Sequence, residues 1–294
     1  SPQETFWRMM RHLDFDVAET SLAAYVIAKS RGQNQIIGIP VFPSRQFRHS
    51  AIYINVNSKI SKPADLKGKK VGVPEYQLTA VVWARGVLQN EYGVDPKEML
   101  WFTGGQEDAG REERIELRKP PGVSIEAIPK TRTLSGMLDE GELDACITPL
   151  LPSVYARRSP RVRRLFENFR EVEKDFYKRT GIFPIMHTLA MKTSLYEKYP
   201  WVSQSLYKAF SHSKEEAIKK LYDTNALRIT LPWIVAEVEE EAKFLGDDIW
   251  PFGVNANRKT IETFISYLDQ QGLLERPVTI EELFAPNTFD MYKT

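Results

Sequence analysis

The chain has one cysteine in 294 residues. Cys146 has no internal partner, so no intrachain disulfide staples the fold. Its place in the apolar run Leu143-Asp-Ala-Cys-Ile-Thr148 points to strand packing rather than to a nucleophile. No apolar run approaches the roughly 20 residues that a membrane-spanning helix needs. Charge of one sign is also missing: 40 Lys and Arg stand against 39 Asp and Glu, a net charge of +1. No global field therefore argues for a nucleic acid or a membrane surface. The local basic cluster Arg157, Arg158, Arg161, Arg163 and Arg164 runs into Glu167, Glu171 and Glu173 without interleaved aromatics, and reads as a solvated helical face. Gly-x-Gly-x-x-Gly and Walker-type loops are lacking, and Thr103-Gly-Gly-Gln106 is too weak a signal for a phosphate cradle. No His-x-x-x-His, Cys-x-x-Cys or acidic loop has metal-ligand spacing, so only a meeting of His49, His187 and Glu75 in space would make a metal site.

What is present is an alternation of strands and helices in a chain long enough for one large unit or two lobes. The patterning predicts strands at 15–19, 36–41, 50–55, 70–73, 100–103, 124–128, 144–148 and 183–191. Helices are predicted at 2–12, 21–30, 77–92, 133–140, 151–179, 201–222, 232–245, 258–271 and 280–284. Ser1-Pro2-Gln3-Glu4 reads as a capping box that opens the first helix. An α/β domain usually opens on a strand, so residues upstream of Ser1 are expected. Alternation of this kind implies a largely parallel sheet with helices on both faces. With no flexible linker in sight, the expected hinge is two crossing strands, near 55–57 and 187–191. Residues 1–55 and 186–294 then form lobe one, and 56–185 form lobe two.

Ligands of open α/β sheets bind beyond the carboxyl ends of the strands. Those ends carry Ser21; Arg45, Arg48 and His49; Glu75, Tyr76, Gln77 and Thr79; Thr103, Gly104 and Gly105; and Thr148. The joint at 74–79 also leads into a helix N-terminus, whose free backbone N–H groups suit a carboxylate. Two guanidinium forks on one loop can each hold a carboxylate, which makes a dicarboxylate the natural ligand of Arg45 and Arg48. Phe42 and Phe47 beside them favour an aromatic ring. His187 sits on the return strand near the hinge, either as a core residue or as an acid.

The strings FPSRQFRHSAIYIN, GKKVGVPEYQLTAVVWARGVLQNEYGV, WFTGGQEDAGREE, PIMHTLAMK, PWVSQSLYKAF and WPFGVNANRKT together resemble the bacterial 4,5-dihydroxyphthalate decarboxylase family. DLKGKKVGV alone is similar to the opening of the second lobe in type II periplasmic-binding-protein folds. The resemblance spans nearly the whole chain. It implies an α/β, two-lobed type II periplasmic-binding-protein-like fold with two crossing hinge strands, and a further strand before the first helix. It also implies non-oxidative decarboxylation of a hydroxylated aromatic dicarboxylate such as 4,5-dihydroxyphthalate, giving CO2 and a dihydroxybenzoate. That chemistry can proceed without a cofactor; no metal ligands are assigned, and metal dependence stays open. It needs an acid at the ring carbon (His187 or His49), a base for the phenol (Glu75 or Tyr76) and cationic anchors (Arg45, Arg48). The alternative is a non-catalytic receptor that delivers aromatic or dicarboxylic acids to a transporter. The expected partner is a small aromatic dicarboxylate, with no nucleic acid or membrane, and homo-oligomerisation stays open. The enzyme would be cytoplasmic, the receptor periplasmic.

Overall fold

The computed structural model describes residues 2–110 and 116–290; the expected Ser1 cap lies outside them. Helix α1 (Pro2–His12) leads to β1 (Val17–Ser21), α2 (Leu22–Ser30) and β2 (Ile36–Ile39). The chain then crosses to β3 (Ile52–Asn55) and β4 (Lys70–Val73). It continues through α3 (Thr79–Tyr92), β5 (Leu100–Thr103), β6 (Ser124–Ala127), α4 (Leu134–Glu140) and β7 (Ala145–Ile147). Next come α5 (Ser153–Ala156), β8 (Val162–Arg164) and α6 (Phe169–Thr180). It returns on β9 (His187–Lys192) and ends in α7 (Thr193–Lys198), α8 (Trp201–Lys219), α9 (Ile234–Leu245), α10 (Val254–Gln270) and α11 (Ile280–Leu283).

The strands form two sheets, ordered β1-β9-β2 and β6-β5-β4-β7-β3-β8. Only β6, β5, β4 and β7 run parallel; β3 opposes β7 and β8, and β9 opposes both of its neighbours. The expectation of a largely parallel sheet therefore holds for four strands. It fails where the chain changes sheets, because a strand that arrives from the other lobe enters against the local direction. β3 is hydrogen-bonded within the six-stranded sheet, so the crossing lies upstream of it rather than at 55–57. There the two passages zip together: Met186 N–H donates to Ser44 O at 2.8 Å and Gln46 N–H to Pro184 O at 3.1 Å, with Arg45 paired antiparallel to Ile185. We accordingly place the division between lobes ahead of β3.

The segment 151–179, expected to be helical, contains β8. Pro160 cannot continue a helix, and Val162 beyond it is buried beside Asn55 of β3. The arginines of this segment are absorbed by the fold. Arg157 and Arg161 pair with Asp139, Arg163 pairs with Glu167, and Arg164 lies over the Phe169 ring at 4.5 Å. Cys146 is buried in β7, and burial pushes its thiol up to about 12, so it stays protonated and packs as a small hydrophobe.

Helix α3 joins the lobes. One buried apolar cluster runs from Leu22 and Val26 of α2 through Val81 and Trp83 of α3 to Phe264 of α10. Trp83 stacks on Phe264 at 5.0 Å and donates its indole N–H to Ile185 O at 2.9 Å. Arg85, wholly buried, donates to Tyr76 O at 2.7 Å and to Gln271 Oε1 at 2.8 Å. Gly86 is what permits the approach: a Cβ there would stand 1.9 Å from the Tyr267 ring. The helix that follows β4 is thus docked on lobe one, and the cleft is closed.

Candidate active site

A cavity of about 250 Å³ lies where the crossing strands, the starts of α2 and α3, and α1 meet. On the outgoing passage the backbone around Arg45 is extended, and alternation of its side chains turns Ser44 and Gln46 one way and Arg45 the other. Ser44, Gln46 and Arg48 of the outgoing passage line the cavity, as do Glu75 and Gln77 after β4. Met186 and His187 come from the return passage, Pro149 and Leu150 from the loop after β7, and Phe6 and Trp7 from α1.

Two helix N-termini converge here. Ser21 caps α2, its Oγ accepting from Ala24 N–H at 3.4 Å and lying 2.9 Å from Thr79 Oγ1. Thr79, the first residue of α3, accepts in turn from Ala23 N–H at 3.0 Å. One lobe therefore helps to cap the helix of the other. The first three N–H groups of α2 are taken by Met186 O, Thr79 Oγ1 and Ser21 Oγ, so it is chiefly the N-terminus of α3 that offers the cavity its partial positive charge of about half a unit. Arg48 adds a full one. It is only 7% exposed, and the one hydrogen bond the described residues give it runs from Nε to the Met186 thioether at 3.2 Å. Burial lowers its pKa to about 10, with Glu173 opposing the shift, so it remains cationic at neutral pH. Thioether sulfur is a weak acceptor, and this guanidinium is well suited to a ligand carboxylate.

His187 is the imidazole in the cavity. Its Nδ1 lies 2.6 Å from Glu19 Oε1, and its ring meets Phe6 edge-on at 4.6 Å. Glu19 was missed in the sequence, as were Phe6 and Trp7. The available signal for Glu19 was its position two residues before Ser21 on a strand, hence on the same face.

The structure brings together His187, Arg48, Glu75, Gln77, Thr79 and Ser21. Other expected site residues lie elsewhere. Arg45 turns to the opposite side of its strand: Nη2 donates to Pro251 O at 2.9 Å and to Asn257 Oδ1, and Nη1 to Phe183 O at 3.4 Å. Its guanidinium rests between the Phe42 and Phe183 rings, and burial lowers its pKa to about 9. Three positions separate it from Arg48, an odd number, so the two cannot share a face. His49 is packed among Tyr92, Phe166 and Phe176 with both ring nitrogens unpartnered, and burial holds its pKa down at about 4. It is a neutral core ring and reaches no ligand. Tyr76 is buried with its ring 3.6 Å below the Arg85 guanidinium, between the two cavity-facing residues Glu75 and Gln77.

Thr103, Gly104 and Gly105 do not line the cavity either. Thr103 O and Gly105 O accept from Ile128 and Leu134 N–H, and a Cβ on Gly104 would meet Ile128 at 2.3 Å. These residues seat β6 and α4. Thr148 hydrogen-bonds Gln106 and supports Leu150, one step back from the cavity wall. Among the described residues no group of three or more His, Cys, Asp or Glu is placed to hold a metal ion.

Two lobes on mixed sheets, crossed twice and enclosing an anion-friendly cleft, define the type II periplasmic-binding-protein-like class. The periplasmic aliphatic sulphonate binding protein SsuA from Escherichia coli superposes with a TM-score of 0.55 at 16% identity, covering 99% of this chain and 86% of that one. A family model for the periplasmic phosphonate substrate-binding protein of an ABC transporter matches residues 2–111. The chain itself belongs to the 4,5-dihydroxyphthalate decarboxylase family. It is 42% identical over 292 residues to the 4,5-dihydroxyphthalate decarboxylase of Comamonas testosteroni, covering 99% of this chain and 88% of that protein. It is 46% identical over 177 residues to that of Pseudomonas putida, covering 60% of this chain and 69% of that protein. Among the described residues, no helix is long and apolar enough to cross a membrane.

Proposed function

We propose that the chain is a carboxy-lyase that decarboxylates a hydroxylated aromatic dicarboxylate of the 4,5-dihydroxyphthalate type. The observation that carries this reading is the shared cavity: an imidazole, His187, lines the same half-open space as Arg48 and the start of α3. A receptor needs the cation and the N-terminus; the decarboxylase reading also gives the imidazole work to do. A volume of about 250 Å³ falls at the small end of ligand pockets, in keeping with a single ring.

In such a substrate each carboxylate stands para to a hydroxyl. The phenol supplies electron density to the carbon that bears the departing carboxylate. A general acid protonates that carbon, the carbon–carboxylate bond breaks, and its electron pair restores the aromatic ring as CO2 leaves. His187 is assigned as the acid and Glu75 as the group that receives the phenol hydrogen bond. Arg48 and the N–H groups at Thr79 and Ala80 hold the carboxylate that stays. These groups supply fixed charge complementary to the retained anion and require no cofactor. CO2 release from purified protein on 4,5-dihydroxyphthalate, with formation of 3,4-dihydroxybenzoate, is the expected result. Tight binding of the diacid with no CO2 release would instead favour the receptor, a role in keeping with the binding-protein scaffold.

A further inference from the structure

Glu19 does not line the cavity; it stands behind the residue that does. Strands β1 and β9 pair with Ser21 opposite His187 and Glu19 opposite Leu189, so Glu19 and His187 are diagonal neighbours on one face. Their side chains close to 2.6 Å at Nδ1, with 31% of the Glu19 and 24% of the His187 side chain exposed. Phe6 packs against the ring from α1. With Nδ1 engaged, Nε2 is the nitrogen left for the cavity.

We propose that Glu19 is the positioning residue of the proton donor. It fixes His187 with hydrogen on Nδ1, turns Nε2 toward the ligand, and offsets the charge of the imidazolium. The inference rests on the decarboxylase reading for its chemistry, though not for its geometry. In the step itself the Nε2–H bond breaks and a C–H bond forms at the ring carbon. The carbon–carboxylate bond then breaks, its electrons return to the ring, and CO2 departs. His187 is left neutral and takes its next proton from solvent, while Glu19 stays ionised throughout. The other charged groups facing this imidazole are Arg48 from the outgoing passage and Glu75 from the β4–α3 joint, of opposite sign; α1 presents the apolar rings of Phe6 and Trp7.

The test compares Glu19→Gln and Glu19→Asp. Glutamine keeps a hydrogen-bonding oxygen but removes the charge. An acid must be protonated to act, so activity falls as pH rises through its pKa. Without the carboxylate that limb should move to lower pH. kcat should drop about 10- to 100-fold while KM changes less than about threefold. Glu19→Asp should restore the limb and part of kcat. A mere cross-link between strands predicts a lower melting temperature in both variants with the pH limb unmoved, and that outcome overturns the proposal. Ring-nitrogen NMR of the wild-type protein supplies a second, activity-independent reading. Neutral His187 is expected as the Nδ1–H tautomer, and finding the Nε2–H tautomer would overturn the assignment even if CO2 is released. If the wild type releases no CO2 yet shows the Nδ1–H tautomer, the function falls and the positioning geometry stands.

Discussion

The outgoing hinge strand has two faces, and they show how differently the same residue types are used. On the cleft face Arg48 gives its one described hydrogen bond to a thioether, feels the charge of Glu173, and looks into a cavity. On the back face Arg45 is bonded to two backbone carbonyls and to Asn257, and is flanked by two rings. The return passage repeats the contrast with histidines: His187 is engaged by a carboxylate at the cleft, whereas His49, at the end of the outgoing passage, is stored dry in the core. A polar group held with bonding capacity to spare is poised for a ligand. One whose capacity is filled by the fold, or sealed from everything, is not.

Substitution of His187 should break the contrast most sharply. His187→Gln is expected to lower turnover by about 10²- to 10⁴-fold, the usual contribution of a general acid, with diacid binding largely kept. CO2 release measured alongside calorimetric binding separates the two effects, and near-normal turnover would return attention to Glu75. His49→Gln should leave the kinetics unchanged.

The arginines sharpen it next. Arg48→Ala should weaken diacid binding by about 1.5–3 kcal/mol, the range for hydrogen bonds to charged groups. Arg48→Lys should recover only part, because an ammonium lacks the fork. Arg45→Met should leave affinity near the wild-type value and lower stability instead. It strands Asn257 Oδ1 and the carbonyl of Phe183, while Pro251 O keeps the Asn257 amide as a donor, at about 1–3 kcal/mol for each buried group left unsatisfied. Denaturant unfolding and calorimetry on both variants decide the assignment; loss of affinity without loss of stability in Arg45→Met would reverse it.

The same alternation explains what could be read from the sequence. Helix and strand positions were legible because apolar spacing is local: β4 and β5 fall at 70–73 and 100–103 as the pattern indicates. The carboxyl-end rule led to the loops that carry Ser21, Arg48, Glu75, Gln77 and Thr79, and the position of the return strand at the hinge led to His187; all six line the cavity. The rule could not choose sides within a loop. Arg45, Tyr76 and His49 were grouped with their neighbours by proximity in sequence, yet a single step along extended backbone reverses Arg45, and the turn at Tyr76 and the short helix opening at His49 redirect the other two. Glu19 shares a strand face with Ser21, but its pairing with His187 left no mark in the sequence: the partner is 168 residues away, and only the insertion of β9 between β1 and β2 brings them together. Strand direction was lost likewise, since a chain that crosses between lobes leaves no local mark of which sheet it joins.

His49 offers the smallest effect at neutral pH and a clear one in acid. Its ordinary value of 6.5 is lowered to about 4 in the fold, first by burial and then by the nearby Arg179. Above about pH 6.5 folded and unfolded chains both carry it neutral, and it exerts no pull on the equilibrium. Between about 6.5 and 4 the unfolded chain binds a proton that the folded one refuses, so stability falls as pH falls. Below about 4 both are protonated and the loss is complete, about 3 kcal/mol at most for a shift of this size. His49→Phe keeps the edge-to-face packing with Phe166 and Phe176 and removes both stranded nitrogens. It should therefore match or exceed the wild type at pH 7 and lose less stability between pH 6.5 and 4. Urea midpoints taken across that window check the slope. Parallel curves for the two proteins would mean that His49 finds a proton partner in the fold, and that the back of the hinge is less dry than its packing implies.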